Sequence, residues 1–187
     1  MPLIARLKPR TTITIHLLRR SAKLQPRLIM DKLKNIDELK ILVEKEREKG
    51  KKIIFANGCF DILHVGHIRY LKEAKELGDT LIVAINSDSS ARKLKGNDRP
   101  VTKEFERAEI ISAIEYVDYV TIFDEPDVSK LLLTLKPDVH AKGTDYTEDT
   151  VPEVETVRSY GGKVAITGDK KERSSTGVIE RLRLPNY

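Results

Sequence analysis

Five short apolar runs, Ile53–Ala56, Thr80–Asn86, Tyr119–Phe123, Val139–Lys142 and Lys163–Thr167, are separated by stretches whose apolar residues recur at helical spacing. A strand with no polar alternate face must be covered on both sides, and strands that alternate with helices join in parallel. The pattern predicts an α/β chain built on a doubly wound, five-stranded parallel sheet with helices on both faces. Helices are expected over Gly66–Leu77, Lys103–Ile114, Val128–Leu135, near Val154–Tyr160 and from about Thr176. A charged amphipathic helix over residues 36–49, stopped by Gly50, is expected to lie against the domain edge. Ser87–Pro100 reads as one long connection.

In such a sheet ligands gather at the carboxyl ends of the strands, where strand order reverses. Residues 57–67, 87–100, 142–146 and 169–177 all follow strands there. The first is the most informative: Asn57-Gly-Cys-Phe-Asp-Ile-Leu-His-Val-Gly-His67 joins an apolar run to a helix. The first turn of a helix leaves N–H groups unpaired and carries the positive end of the dipole, so an anion is favoured there. His64 and His67, three apart, project to one side, and Gly66 lets a phosphate approach the backbone without meeting a Cβ atom. Cys59, His64 and His67 could instead supply three metal ligands, but no second cysteine cluster follows and a glycine-rich turn suits phosphate better than tetrahedral zinc, so no metal-ligating set is assigned.

Gly58, Phe60, Asp61, His64, Gly66 and His67 together resemble the signature of the cytidylyltransferase-like nucleotidyltransferases, in which this turn cradles the phosphates of a nucleoside triphosphate. The resemblance runs over about residues 52–182 and implies a Rossmann-like fold. It makes His64, His67 and Lys95 the catalytic residues. It makes Asn57, Gly58, Cys59, Phe60, Asp61 and Gly66 nucleotide-binding, along with Arg107, Lys142, Gly143, Asp145, Arg173, Ser175 and Thr176, with Lys170 or Lys171 in place of Arg173 as an open register. Arg99 and Tyr146 are left to the acceptor. Taken alone, the basic loop, the Lys142–Tyr146 turn and the Ser/Thr run before the last helix are also an ordinary solvated loop, a turn and an N-cap. His140 reads as a satisfied core histidine and is left out of the site.

Asn-Asp-Arg-Pro-Val, Glu-Arg-Ala, Lys-Pro-Asp-Val, Lys-Gly-Thr-Asp-Tyr and Ser-Ser-Thr add a closer likeness, to the stand-alone form of the adenylyltransferases of ADP-heptose synthesis. That likeness implies transfer of AMP from ATP, with Mg²⁺, to D-glycero-β-D-manno-heptose 1-phosphate. It also implies a homodimer and a separate sugar kinase in the same pathway. Glu115, where glycerol-3-phosphate cytidylyltransferases commonly carry an arginine, counts against the cytidylyl alternative. ATP with flavin mononucleotide is a further alternative. A nucleotide-binding regulator or an RNA-binding protein is the reading outside enzymes.

A chain of 187 residues suits one well-buried domain rather than two large ones. Of its 34 Lys and Arg, seven lie before Met30 with no acid among them, and the 27 others face all 29 Asp and Glu. The net charge of +5 therefore sits in a basic leader, residues 1–29, and residues 30–187 form the expected domain, with no basic nucleic-acid surface. The leader is expected to be disordered; prolines interrupt it, and no stretch approaches a membrane span. One cysteine excludes an intrachain disulfide and fits the cytoplasm.

Overall fold

The structure, a computed structural model, describes residues 31–169 together with residues 177, 179 and 181. Its elements run α1 (Ile36–Glu48), β1 (Ile53–Gly58), α2 (Val65–Glu76), β2 (Thr80–Asn86), α3 (Asp88–Lys95), α4 (Glu104–Ser112), β3 (Tyr119–Phe123), α5 (Ser129–Leu135), β4 (Val139–Gly143), a 3₁₀ turn at Glu148–Thr150, α6 (Val154–Ser159) and β5 (Lys163–Thr167). All five strands are parallel, in the order β3-β2-β1-β4-β5. The basic leader and Lys170, Lys171, Arg173, Ser175 and Thr176 lie outside the described residues.

Strand residues alternate between two cores, as a pleat requires. Ile54, Ala56, Leu81, Val83, Ile85 and Ala141 pack under α2 and α4. Ile53, Phe55, Ile82, Ala84 and Phe123 pack under α1, α5 and α6. Helix α1 therefore covers a face of the sheet rather than its edge: Leu39 and Val43 are buried in that second core, each burial worth roughly 1.5–3 kcal/mol. Asn35 starts α1 by accepting from the Glu38 N–H at 2.9 Å, and Glu38 returns the bond to the Asn35 N–H at 2.9 Å.

Three aspartates lock the amino ends of the strands. Asp79 accepts from the Lys52 N–H at 2.8 Å, Asp138 from Ile53 at 2.7 Å and Asp118 from Leu81 at 2.7 Å. Among the described residues no aspartate closes the carboxyl ends in this way, and those ends lead into the segments expected to bind ligand.

Residues 87–100 are not one connection, because α3 occupies most of them. Ser87 caps it, accepting from the Ser90 N–H at 3.1 Å, and Lys95 falls on its last turn. Of the helix expected from about Thr176, residues 177, 179 and 181 are described, and all three are helical. No helix among the described residues is long and apolar enough to cross a membrane.

Candidate active site

Strand β1 lies between β2 and β4, so the chain leaves it in one direction and returns on its other side. A crevice must open where those connections diverge. It does: a cleft of about 700 Å³ sits over the carboxyl ends of β1 and β4, in the size range of small-molecule sites. Asn57, Gly58, Cys59, Phe60, Asp61 and Gly66 line it from β1 and the turn beyond, with His64 and His67. Lys142, Gly143, Asp145 and Tyr146 line it from β4, and Lys95 and Arg99 complete the wall.

His64 is the N-cap of α2, extended at φ −138° and ψ 168°, which turns the chain sharply into the helix. Its backbone N–H donates to Nδ1 of His67 at 3.3 Å. That nitrogen must therefore be bare, and the neutral His67 ring carries its proton on Nε2. Burial, and secondarily the adjacent His64, push His67 down to about 4, so the ring is neutral near pH 7. The two imidazoles stack with centroids 3.9 Å apart, and the His67 ring meets Phe60 edge-on at 5.3 Å. A Cβ at Gly66 would lie 3.0 Å from Nδ1 of His64. A side chain there would press on the histidine ring, which would have to shift by a few tenths of an ångström, so glycine leaves the ring its place as well as room for phosphate.

Phe60 takes a left-handed backbone at φ 49°, which costs a bulky residue on the order of 1–2 kcal/mol. Its buried ring packs between His67 and Tyr70, so it backs the histidine pair. Cys59 points its thiol at Oδ1 of Asn86, 3.5 Å away, and burial pushes that thiol up, leaving it an S–H donor at neutral pH.

Asp61 is buried and accepts from the Val101 N–H at 2.7 Å, the Thr102 N–H at 3.0 Å and Nε of Arg99 at 2.5 Å. Burial would raise its carboxyl, but the bonds from Thr102, Arg99 and Val101 outweigh it and hold the group below the usual carboxylate range. Asp61 thereby fastens the loop before α4 to the turn after β1 and fixes Arg99 in the cleft wall.

Arg107 corrects the expectation from sequence. It does not line the cleft; its side chain is fully buried and donates to the Thr102 carbonyl at 3.0 Å, the Cys59 carbonyl at 2.6 Å and Oδ1 of Asp88 at 2.8 Å. Every arm of its guanidinium is occupied by protein, so it ties together the turn after β1, α3 and the start of α4.

On the other side of the switch point, Nζ of Lys142 lies 3.1 Å from Oδ1 of Asn57 and 3.2 Å from the Glu153 carboxylate, both charges being almost wholly buried. It also lies 5.3 Å from the centre of the half-exposed Tyr146 ring. His140, two residues before Lys142 on β4, is fully buried, its Nε2 3.0 Å from the same Asn57 oxygen. Arg69, two residues past His67, lines the cleft and pairs with Asp169 across it. Glu153 and Arg69 escape sequence reasoning because each looks like an ordinary helix charge; only strand pairing and the α2–β5 packing bring them here. Glu115 is exposed in the segment entering β3, at the amino edge of the sheet opposite the cleft.

A family model described as Cytidylyltransferase-like matches residues 55–181. The Bifunctional protein HldE of Geobacter metallireducens is 49% identical over 151 residues, covering 81% of this chain and 31% of that protein. Its counterpart in Geotalea uraniireducens is 48% identical over 152 residues, with the same coverage. The chain thus spans about a third of the length of these curated relatives. Among solved structures, a lipopolysaccharide core biosynthesis protein from Thermoplasma volcanium is 35% identical with a TM-score of 0.56, covering 65% of this chain and 100% of that one. Pantoate-beta-alanine ligase from Francisella tularensis, 20% identical with a TM-score of 0.54 over 78% of this chain and 69% of its own, shares the fold. The chain belongs to the Cytidylyltransferase-like family.

Proposed function

We propose that this member of the Cytidylyltransferase-like family transfers AMP from ATP to a sugar 1-phosphate, D-glycero-β-D-manno-heptose 1-phosphate, giving ADP-heptose and pyrophosphate. The observation that carries the reading is His67, held neutral with its Nε2–H presented to the cleft at the amino end of α2. A donor of this kind, beside unpaired helix N–H groups and Lys95, suits oxygens on which charge accumulates during phosphoryl substitution. Likeness to the HldE proteins and to a lipopolysaccharide core biosynthesis protein supports the choice of pathway.

The acceptor phosphate oxygen attacks the α-phosphorus in line, and pyrophosphate leaves. The nucleophile is already an anion, so no general base and no covalent protein intermediate are required. The barrier lies in bringing two anions together, which positioning and fixed positive potential reduce. Mg²⁺ enters with the triphosphate: among the described residues no group of three His, Cys, Asp or Glu side chains could hold a metal alone, whereas Asp145 at the cleft rim offers one carboxylate to a cation already carried by phosphates. When bound, it neutralises charge on the departing pyrophosphate. A homodimer working beside a separate sugar kinase completes the proposal.

The test is pyrophosphate release with Mg²⁺ across ATP and CTP, each with the heptose 1-phosphate, glycerol 3-phosphate or flavin mononucleotide. Release confined to ATP with the heptose phosphate is the expected result. Release confined to CTP would overturn the choice of nucleotide, and binding without release in every arm would overturn transfer.

A further inference from the structure

The side-chain amide of Asn57 has only one orientation compatible with its neighbours. Lys142, held against the Glu153 carboxylate, has an ammonium that can only donate, so the Asn57 atom 3.1 Å from it must be the oxygen. The same oxygen lies 3.0 Å from Nε2 of His140, which must then donate too and carry that ring's proton. His140 is left with a bare Nδ1, buried and with no partner among the described residues. With both lone pairs of its oxygen engaged, Asn57 turns its NH₂ group the other way. That nitrogen makes no hydrogen bond to a described residue and is not among the buried unpartnered atoms, so it opens on the cleft that Asn57 lines.

We propose that His140, through its bond to Asn57 and together with Lys142, is a positioning residue that presents the Asn57 carboxamide as a preset donor to a phosphoryl oxygen of the bound substrates. The inference rests on the nucleotidyl-transfer reading. It also explains a cost inside the fold. A leucine at residue 140, which is fully buried and edge-on to Phe55, would meet the same apolar neighbours without leaving a bare acceptor in the core. The histidine gives up stability, and what it gains is a fixed Asn57. Strand pairing makes the arrangement rigid, since Phe55 and His140 are register partners of β1 and β4.

His140→Leu, His140→Gln and Asn57→Asp are compared with the parent protein for thermal midpoint, ATP affinity by calorimetry, pyrophosphate release and the side-chain ¹⁵N–¹H signals of Asn57. His140→Leu is expected to melt no lower than the parent, to bind ATP within about threefold, and to lose about 10- to 100-fold in kcat as the donor drifts. His140→Gln, whose carboxamide N–H can replace Nε2–H, recovers most of that loss. Asn57→Asp keeps the oxygen facing Lys142 but aims a carboxylate at phosphate, and loses on the order of 100-fold or more. A kcat for His140→Leu within threefold of the parent overturns the inference, as does a glutamine variant no faster than leucine. The two readings separate by NMR. If the parent binds ATP without releasing pyrophosphate, the transfer reading fails. The Asn57 amide signals then decide this one, because a signal unmoved by ATP overturns it and a shift lost in His140→Leu supports it.

Discussion

Replacing Arg107 by lysine tests whether the guanidinium serves the protein or the nucleotide. Arginine meets three acceptors from three segments, at 2.6, 2.8 and 3.0 Å, across the width of its planar fork. A lysine ammonium cannot occupy all three positions and keeps about one bond. Two hydrogen bonds to a charged group, at about 1.5–3 kcal/mol each, give roughly 3–6 kcal/mol. Breaking a buried ion pair costs about 3–5 kcal/mol by the same physics, and Asp88, a quarter exposed, places the loss toward the lower end, about 3–4 kcal/mol. For a chain of this size that lowers the thermal midpoint by about 6–16 °C. Differential scanning calorimetry with ATP titration reads both quantities. A variant that melts within about 2 °C of the parent but binds ATP ten times more weakly would show that Arg107 works on the triphosphate, and the strut assignment would be wrong.

His67→Ala removes the donor on Nε2, and kcat for pyrophosphate release is expected to fall by about a hundredfold or more with an unchanged far-UV circular dichroism spectrum; near-parental turnover in the folded variant rules out the role given to this ring. Stability also depends on pH in a stated direction. His67 is held down at about 4 and His140 at about 3, against 6.5 in the unfolded chain, so below about pH 6.5 the unfolded state takes up protons that the folded state refuses. The contribution is complete above that pH and shrinks toward pH 4, where the depressed Asp61 carboxyl begins to act in the same sense. Urea midpoints should be lower at pH 5 than at pH 7.5, and equal midpoints would contradict the buried neutral histidines.

Thr80–Asn86 and Tyr119–Phe123 have the limits that apolar patterning predicts, because polar residues bound each and most of their side chains are buried; Lys163–Thr167 has them too, set between Gly162 and Gly168, although this edge strand is mostly half-buried. Helix α3 was invisible for the opposite reason: it buries only Ser90 and Ala91, so it leaves no apolar period to read. The turn from Asn57 to His67 was legible because its chemistry is local, a cap, a glycine and two histidines within one span of chain. Arg107 was misplaced because a sequence does not disclose that three acceptors will converge on a buried arginine. His140 was rightly placed in the core, yet its meaning depends on the register of β1 with β4, which joins residues more than eighty positions apart.

The charges around the cleft differ in how easily they can be moved, and this predicts how salt acts on the reaction. Arg99 pairs with Asp61, and Lys142 with Glu153, with all four side chains at most 12% exposed. Such pairs keep their partners, since separating them leaves a buried charge uncompensated. The Arg69–Asp169 pair, about half exposed on both sides, contributes little to stability and opens at little cost. Lys95, exposed on the last turn of α3, carries no ion pair among the described residues. An arriving polyphosphate therefore meets a soft rim of Arg69 and Lys95 and a hard floor of fixed donors. The Debye length shrinks from about 10 Å at 0.1 M to about 3 Å at 1 M salt, which screens the rim far more than the floor. Raising ionic strength should increase KM for ATP far more than it lowers kcat, any fall in kcat being limited to the transition-state charge that Lys95 meets. A fall in kcat with KM unchanged would place the salt-sensitive charges at the reacting phosphorus and reverse this division of the cleft.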